Sequence, residues 1–344
     1  MHDKQYGTMI SILLILTLVI SFAATTIVRS IALRKNILDI PNLRSSHTQP
    51  TPRGGGVAIV TAWYFGLFCL DYFGLIEPGL FFALISGVLL AFVSLLDDIF
   101  TIKPWIRILF QLLTVFSGLY FIGGLKIIYL NDLTFAVPII FNIVVVLGAI
   151  WFINLYNFMD GIDGYASVEA LAIAAGMFLI IGDPIFLILI FSVFGFLIWN
   201  WPKAKIFMGD IGSTQLGYIL VILGIYFNNN HEFNIFGWLI LTSLFWFDAT
   251  LTLYRRWNNK EKLNMAHKKH AYQRIVQFGF THQRTIIISI FVNLIFSGLI
   301  YLSEMTRISY LMTFTLCLII NAILIKLIDS RFPFNKSSPS DLNQ

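Results

Sequence analysis

Eleven apolar runs, most of them long enough to cross a bilayer, occupy the larger part of this sequence of 344 residues. A bilayer core about 30 Å thick needs about 20 consecutive apolar residues in helical form. Since 58% of the residues are hydrophobic and only 12% are charged, the sequence predicts an all-α polytopic membrane protein. The runs lie near residues 8–28, 56–76, 80–96, 105–122, 136–153, 167–181, 184–200, 210–226, 235–253, 285–302 and 308–328. Several are only about 15 to 17 residues long, so ten transmembrane helices is the alternative to eleven.

The distribution of Lys and Arg predicts the orientation of these helices. With the N-terminus outside and the C-terminus in the cytoplasm, 20 of the 23 Lys and Arg residues fall on the cytoplasmic side, as the positive-inside rule requires. Arg29, Arg34 and Lys35 follow the first run, which favours a retained span over a cleaved signal peptide. The predicted topology then accounts for the net charge of +5, which suits contact with an anionic leaflet. The charge therefore does not indicate nucleic-acid binding.

Outside the apolar runs, the sequence offers little material for a second domain. No repeat or soluble domain is visible, so residues 1–330 are predicted to form one integral-membrane catalytic domain. Residues 331–344, rich in Ser, Pro and Asn, are predicted to form a disordered cytoplasmic tail. Cys69 and Cys317 lie inside apolar runs and are interpreted as packing residues rather than a disulfide or a metal pair.

The predicted cytoplasmic loops carry most of the polar residues. Asp97 and Asp98 end the third run, where adjacent carboxylates repel each other and oppose the helix dipole. A divalent metal or a cationic substrate group would offset that cost, whereas a solvated helix end is the plainer alternative. In "TPRGGG", Arg53 beside three glycines could clamp a phosphate or serve only as a positive-inside anchor.

A second polar cluster lies in "NLYNFMDGIDGYAS", after the fifth run. Asn154, Asn157, Asp160 and Asp163 recur at steps of three, so they share one face if the fifth helix extends past the bilayer. The alternative is a polar loop with two Asp-Gly turns.

A third cluster, "FMGDIGS", places Asp210 between two glycines, which allows a metal or a phosphate to approach closely. Asp210 could instead be an N-cap. Because the candidate ligands are oxygens without thiolates, we expect Mg²⁺, with Mn²⁺ as a possible substitute, rather than Zn²⁺.

His267, His270 and Arg274 follow in the largest cytoplasmic loop. A helix there would present all three on one side and could bind a phosphate. The sequence has no HExxH pattern that would indicate a zinc site, and a basic interfacial helix is the alternative.

Five motifs occur in one order between about residues 39 and 273: "PNLRSSHTQPTPRGGG", "LLDDIF", "NLYNFMDGIDG", "FMGDIGS" and "FWFDATLTLYRR". In these motifs the chain resembles the polyprenyl-phosphate N-acetylhexosamine-1-phosphate transferases of glycosyltransferase family 4. The resemblance implies transfer of a sugar 1-phosphate from a UDP-sugar to undecaprenyl phosphate, with release of UMP. It also implies a multi-pass protein of the bacterial inner membrane with a Mg²⁺-dependent site on the cytoplasmic face. The oligomeric state stays open, with a homodimer as one alternative.

The resemblance also implies residue roles. Asp97 and Asp98 would lie near the acceptor phosphate, and His267 and His270 near the donor phosphates; these four are the predicted catalytic residues. The predicted substrate-binding residues are Arg53, Asn157, Asp160, Asp163 and Arg274, and the predicted metal ligand is Asp210.

The last loop reads "AHKKHAYQR" and lacks the tight histidine cluster of the branches that start enterobacterial common antigen or peptidoglycan. It resembles the branch that begins O-antigen or related polysaccharides, so the donor could be an N-acetylhexosamine or a 6-deoxy derivative. Transfer could be direct or pass through a phosphoryl-Asp98. The direct route is preferred, because a phosphate monoester with a second pKa of about 6 is already mostly a dianion near neutral pH.

Two other functions compete with this interpretation. A cation-coupled transporter would place ionisable groups near the bilayer midplane, where Glu169 and Asp248 are the nearest candidates. A CDP-alcohol phosphotransferase also joins a nucleotide donor to a lipid, but its signature is absent.

Overall fold

The computed structural model describes residues 2–41, 49–100, 102–130, 133–263, 265 and 267–335. Within these ranges the chain forms fourteen α-helices and four short β-strands. The helices are α1 (His2–Arg34), α2 (Gly56–Tyr72), α3 (Pro78–Ile85), α4 (Gly87–Phe100), α5 (Pro104–Ile122), α6 (Asn142–Met159), α7 (Tyr165–Ile181), α8 (Pro184–Asn200), α9 (Asp210–Asn229), α10 (Ile235–Leu241), α11 (Ser243–Asn258), α12 (Ala271–Gln277), α13 (His282–Thr306) and α14 (Tyr310–Arg331). The strands are β1 (Leu38–Asp39), β2 (Thr51–Pro52), β3 (Ile127–Leu130) and β4 (Leu133–Ala136).

Each of the eleven apolar runs coincides with a helix or with a pair of consecutive helices. Seven segments of the described chain are long and apolar enough to cross a membrane, and α10 with α11, bent by 73°, forms an eighth if the pair is one span. The three remaining runs coincide with the shorter apolar helices α2, α7 and α8. The prediction of a helical polytopic membrane protein is therefore confirmed, while the count of eleven and the orientation remain predictions.

Two small antiparallel ladders depart from the all-α prediction. Strands β1 and β2 pair next to the candidate site, with Asp39 opposite Thr51. Strands β3 and β4 pair between α5 and α6. Both ladders are too short for a hydrophobic alternation to show in the sequence.

Helix α9 is the most enclosed of the seven apolar segments, with 89% of its apolar window buried. It packs against α2, α4 and α6. The crossing with α2 is a backbone contact, because a Cβ atom added to Gly56 would lie only 2.4 Å from the Cα of Gly212. Glycine at this crossing lets the two helices approach closely, and it fixes the start of α9 beside the chain that leads into α2.

The two ends of α9 meet different parts of the protein. At its C-terminal end the Asn228 amide donates to the Ile127 carbonyl at 2.8 Å, and the Asn229 side chain accepts from Lys126 N at 2.9 Å, so strand β3 is held there. At its N-terminal end, Asp210 lies among the polar loops. The loops that were predicted to be cytoplasmic therefore gather at one end of the bundle.

The predicted tail, residues 331–344, begins at the last residue of α14, and residues 336–344 lie outside the described residues. The described part packs on neighbouring elements. The Phe334 ring lies 5.4 Å from the Arg255 guanidinium and 5.5 Å from that of Arg274.

Candidate active site

A cavity of about 380 Å³ opens at the N-terminal end of α9. Its lining comes from β1, the loop after β2, the ends of α6 and α8, and the starts of α9, α12 and α13. Five predicted site residues line it: Arg53, Asn157, Asp160, Asp163 and Asp210. Other lining residues were not among the predicted site residues, and they include Asp39, Asn200, Phe207, Gln273 and His282.

Asp98 connects the end of α4 to the start of α9. Its carboxylate accepts hydrogen bonds from Asp210 N at 3.0 Å and Ile211 N at 3.2 Å, the first free amides of α9. Gly209 permits this contact: its φ is +77°, and an added Cβ would lie 2.6 Å from Asp98 Oδ2. An aspartate that is unfavourable at the end of its own helix is thus stabilised by the positive end of another.

Two arginines neutralise three of the aspartates. Arg53 Nη2 lies 2.6 Å from Asp98 Oδ1 and 3.0 Å from Asp210 Oδ1. Arg107 Nη1 lies 2.7 Å from Asp97 Oδ2 and 3.4 Å from Asp210 Oδ2. Asp210 is therefore shared between two guanidinium groups. The sequence suggested a metal or a substrate cation beside Asp97 and Asp98. In the structure an arginine side chain of the protein itself pairs with each of them.

Asp97 and Asp98 lie next to the cavity without lining it. Asp97 is held by Arg107 and also accepts from Ile102 N at 2.6 Å. Its position suits a residue that fixes Arg107 against Asp210. Their predicted catalytic roles remain predictions.

The polar loop after α6 differs from the predicted continuous helix. Helix α6 ends at Met159, so Asp160 and Asp163 do not extend the helical face of Asn154 and Asn157, and that prediction was wrong. Asn157, near the end of α6, and Asp160 and Asp163, in the loop, nevertheless all line the cavity. Asn157 accepts from the Ser213 hydroxyl at 2.7 Å. Asn154 instead exchanges hydrogen bonds with Gln111 on α5.

Asp160 has the clearest electrostatic perturbation among the cavity residues outside the apolar helices. Burial, followed by repulsion from Asp210, raises the pKa of Asp160 to about 7, although Arg53 acts in the opposite direction. Repulsion from Asp98 and Asp163 adds to the rise in this pKa. The pKa of Asp160 is thus raised first by its burial and then by the crowding of carboxylates around it.

Whether these residues fit a divalent cation can be judged from their ligand chemistry. No group of three or more His, Cys, Asp or Glu side chains in the described part of the chain is arranged around one metal position. Mg²⁺, however, keeps several waters and is commonly held by one or two carboxylates together with substrate phosphates. Asp210 and Asp160 line the same cavity and satisfy that smaller requirement. Gly209, not Asp210, is the N-cap of α9, so the N-cap alternative for Asp210 was wrong.

The two predicted catalytic histidines precede a helix instead of sharing one with Arg274. Helix α12 begins at Ala271, so the predicted common helical face was wrong. The two imidazole rings lie 4.9 Å apart, and His270 Nδ1 is 3.9 Å from Asp248 Oδ1. Burial, followed by the neighbouring His270, lowers the pKa of His267 to about 3, so His267 is neutral near pH 7. Neither histidine lines the cavity, and their catalytic roles remain predictions.

Arg274 faces the C-terminal segment. Its Nη1 atom lies 2.8 Å from Asp329 Oδ1 and donates to the Phe332 carbonyl at 2.5 Å. With a side chain only 4% exposed, Arg274 anchors α12 to the end of α14 and is absent from the cavity lining. This position gives no support to the predicted substrate-binding role.

Some of the unpredicted lining residues left a signal in the sequence and others did not. Phe207 and Gln273 lie within stretches already singled out, "FMGDIGS" and "AHKKHAYQR". Asn200 and His282 are isolated polar residues at helix ends. Their partners, Gly164 N at 3.0 Å from Asn200 Oδ1 and Asp163 Oδ2 at 3.2 Å from His282 Nδ1, are far away in sequence.

A bundle of apolar helices with paired arginines and aspartates around a polar cavity at one end fits the class of integral-membrane phosphosugar transferases. Comparison with known proteins supports the same class, since residues 80–228 match the family model "Glycosyl transferase family 4". Over residues 80–228 the chain therefore matches a glycosyl transferase family 4 domain, and the resemblance suggested by its motifs is confirmed.

Curated relatives match most of the chain. A probable undecaprenyl-phosphate N-acetylglucosaminyl 1-phosphate transferase of Bacillus subtilis (strain 168) is 29% identical over 299 residues, covering 82% of each protein. The undecaprenyl-phosphate alpha-N-acetylglucosaminyl 1-phosphate transferase of Escherichia coli (strain K12) is 28% identical over 81% of this chain and 78% of its own length. The decaprenyl-phosphate N-acetylglucosaminephosphotransferase of Mycobacterium tuberculosis (strain ATCC 25618 / H37Rv) is 25% identical over 78% and 76%.

Proposed function

We propose that this protein transfers an N-acetylhexosamine 1-phosphate from a UDP-sugar to undecaprenyl phosphate, releasing UMP at the cytoplasmic face of a bacterial inner membrane. The observation that carries the proposal is the Arg53–Asp210–Arg107 arrangement beside the cavity. Guanidinium groups suit phosphate oxygens, and a site at the end of apolar helices can be reached by a lipid phosphate and a soluble nucleotide.

In the proposed reaction, an oxygen of the lipid phosphate attacks the phosphorus that carries the sugar. A new P–O bond forms there, the bond to the uridine-bearing phosphate breaks, and UMP leaves with the electron pair. Arg53 and Arg107 neutralise the charge on the phosphates and position them in line. A bound Mg²⁺, held by Asp210 with Asp160 as the second carboxylate, would supply further neutralisation of the diphosphate.

The contacts of Asp98 support direct transfer over a covalent phosphoryl-aspartate. Its carboxylate accepts from two backbone amides and lies 2.6 Å from Arg53. A carboxylate with its lone pairs committed to these donors is a poor nucleophile. Asp98 therefore positions Arg53 and the start of α9.

The alternative, a cation-coupled transporter, would need ionisable groups inside the bundle. Glu169 on α7 is buried and accepts from the Asn293 amide on α13 at 2.7 Å. Asp248 is occupied by the start of α12, where both of its oxygens accept from Ala271 N. Four other acidic residues, Asp39, Asp160, Asp163 and Asp210, line the cavity at the N-terminal end of α9, which favours the transferase.

The donor and the pathway are proposed from the last loop. Its "AHKKHAYQR" sequence supports the branch that starts O-antigen or related polysaccharides, with UDP-N-acetylglucosamine or a 6-deoxy N-acetylhexosamine as donor.

The test is an assay of purified protein in lipid nanodiscs with undecaprenyl phosphate, Mg²⁺ and a panel of UDP-N-acetyl sugars. We expect UMP release and a new lipid-linked sugar diphosphate with at least one donor, and neither product when the lipid or Mg²⁺ is omitted. Absence of UMP with every donor, from protein that remains monodisperse, would refute the proposed function. Release of UMP without the lipid would indicate a hydrolase instead.

A further inference from the structure

Helix α12 is held against the site loop by residues on both sides of Gln273. The Tyr272 hydroxyl donates to the Phe158 carbonyl at 3.2 Å, and the Tyr272 ring stacks on Tyr165 with centroids 4.7 Å apart. On the other side, Arg274 pairs with Asp329. Gln273 therefore has little freedom to move away from the cavity that it lines.

The start of α12 is fixed as well. Ala271 N donates to both oxygens of Asp248, at 2.8 and 3.0 Å, so a carboxylate on α11 caps this short helix. Gly161 allows α12 to lie close to the site loop, because an added Cβ would be 2.2 Å from the Tyr272 hydroxyl and 3.0 Å from Gln273 Nε2. The backbone of α12 is thus set by three separate elements.

Gln273 lines the cavity and has a buried side-chain atom without a hydrogen-bond partner in the described part of the chain. The residue is only 8% exposed, and its Oε1 atom has no hydrogen-bond partner among the described residues. A buried polar atom without a partner lowers the stability of the folded state. An unpaired atom on a residue that lines a cavity is the kind of group that a bound ligand can complete.

We infer that Gln273 is a specificity residue for the donor and accepts a hydrogen bond from an N–H or O–H group in its uncharged part. This inference rests on the proposed function. A neutral amide is poorly suited to the diphosphate, for which Arg53 and Arg107 are available. The uncharged donor groups of a UDP-sugar are the uracil N–H, the ribose and hexose hydroxyls, and the acetamido N–H.

The experiment compares wild-type protein with Gln273→Met, which keeps the length of the side chain and removes the amide. We expect the KM for the UDP-sugar to rise about three- to tenfold, the effect of losing one hydrogen bond. The kcat and the KM for undecaprenyl phosphate should stay within about twofold. A matched control is Gln277→Met on the same helix, whose amide donates to the Lys268 carbonyl at 2.6 Å instead of lining the cavity.

Inhibition by UMP shows whether Gln273 accepts its hydrogen bond from the nucleotide or from the hexose. A rise in the inhibition constant of UMP that equals the rise in KM assigns Gln273 to the nucleotide, and a change in KM alone assigns it to the hexose. Unchanged values for both, or the same change in Gln277→Met, would overturn the inference while leaving the transferase activity in place. Absence of UMP release from wild-type protein would instead overturn the proposed function, and with it this inference.

Discussion

At the scale of single residues, the site is defined by carboxylates that already have partners. Asp97 and Asp98 are the less exposed pair, with side chains 7% and 4% exposed, and each is held by an arginine. Asp210 is 19% exposed, shares both arginines and lines the cavity. Asp210 is therefore the carboxylate of this group that can exchange an arginine for an incoming ion.

Replacement of Asp210 tests this assignment. Asp210→Asn keeps the size of the side chain and removes its charge, so we expect turnover to fall at least about a hundredfold, as when a key electrostatic group is lost. The measurement is UMP release across a titration of Mg²⁺ and Mn²⁺. The matched control is Asp183→Asn, since Asp183 caps the opposite end of α8 by accepting from Ile185 N, and Asn caps as well as Asp. Activity of Asp210→Asn within a few-fold of wild type at ordinary metal concentration would exclude a metal role.

The sequence could identify some site residues because their chemistry is local. Asp210 lies between two glycines, and Asp160 and Asp163 each precede a glycine, so these residues stood out without any knowledge of the fold. Arg107 and His282 could not be assigned, because their partners Asp210 and Asp163 are 103 and 119 residues away. Arg274 shows the opposite error. Its charge suggested phosphate binding, whereas in the structure its guanidinium pairs with Asp329.

At the scale of elements, the long helices were predictable and their ends at the site were not. Hydropathy locates a helix that lies in lipid, because every residue there meets the same apolar solvent. The ends depend on distant partners: α12 starts at Ala271 because Asp248 caps it, and α6 stops at Met159, where the site loop begins. The same dependence explains why His267 and His270 lie outside the helix.

The link between α12 and α14 gives a prediction at this scale. Asp329 lies 2.7 Å from Arg255 and 2.8 Å from Arg274, so its loss leaves a buried guanidinium without its counter-charge. We expect Asp329→Asn to reduce the free energy of unfolding by about 1 to 3 kcal/mol, less than for a fully buried pair because Asp329 is 28% exposed.

The measurement is the thermal unfolding midpoint in detergent, with Asp71→Asn, an exposed carboxylate at the end of α2, as the control. The KM for the donor should change little in Asp329→Asn, since Arg274 does not line the cavity. A raised KM without a lower midpoint would return Arg274 to the predicted phosphate-binding role.

At the scale of the whole molecule, the polar loops meet at one end of α9 and the β3–β4 hairpin lies at the other. The positive-inside rule predicts that the first end is cytoplasmic, because 20 of the 23 Lys and Arg residues fall on that side of the predicted topology. The donor in the proposed reaction is a cytoplasmic nucleotide sugar. The predicted orientation and the proposed function therefore both require the site to be on the cytoplasmic side.

Cysteine labelling checks this orientation. In a background with Cys69 and Cys317 replaced by Ser, single cysteines are introduced at the exposed positions Asn230, after α9, and Asn259, after α11. We expect an impermeant thiol reagent to label Asn230→Cys in spheroplasts and to label Asn259→Cys only after permeabilisation. Labelling of Asn259→Cys in sealed spheroplasts would reverse the orientation and remove the site from the cytoplasm.

The anchoring of α9 also divides the protein by mobility. The helix is enclosed along its length, its first amides are bound by Asp98, and its last turn is bound to strand β3. A helix held in this way can neither slide nor tilt without breaking contacts at both ends, so it belongs to the slowest-opening part of the structure. The wall of the cavity that α9 contributes is therefore expected to stay in place. The freedom needed to admit a nucleotide sugar and release UMP must then come from other walls of the cavity, several of which are loops.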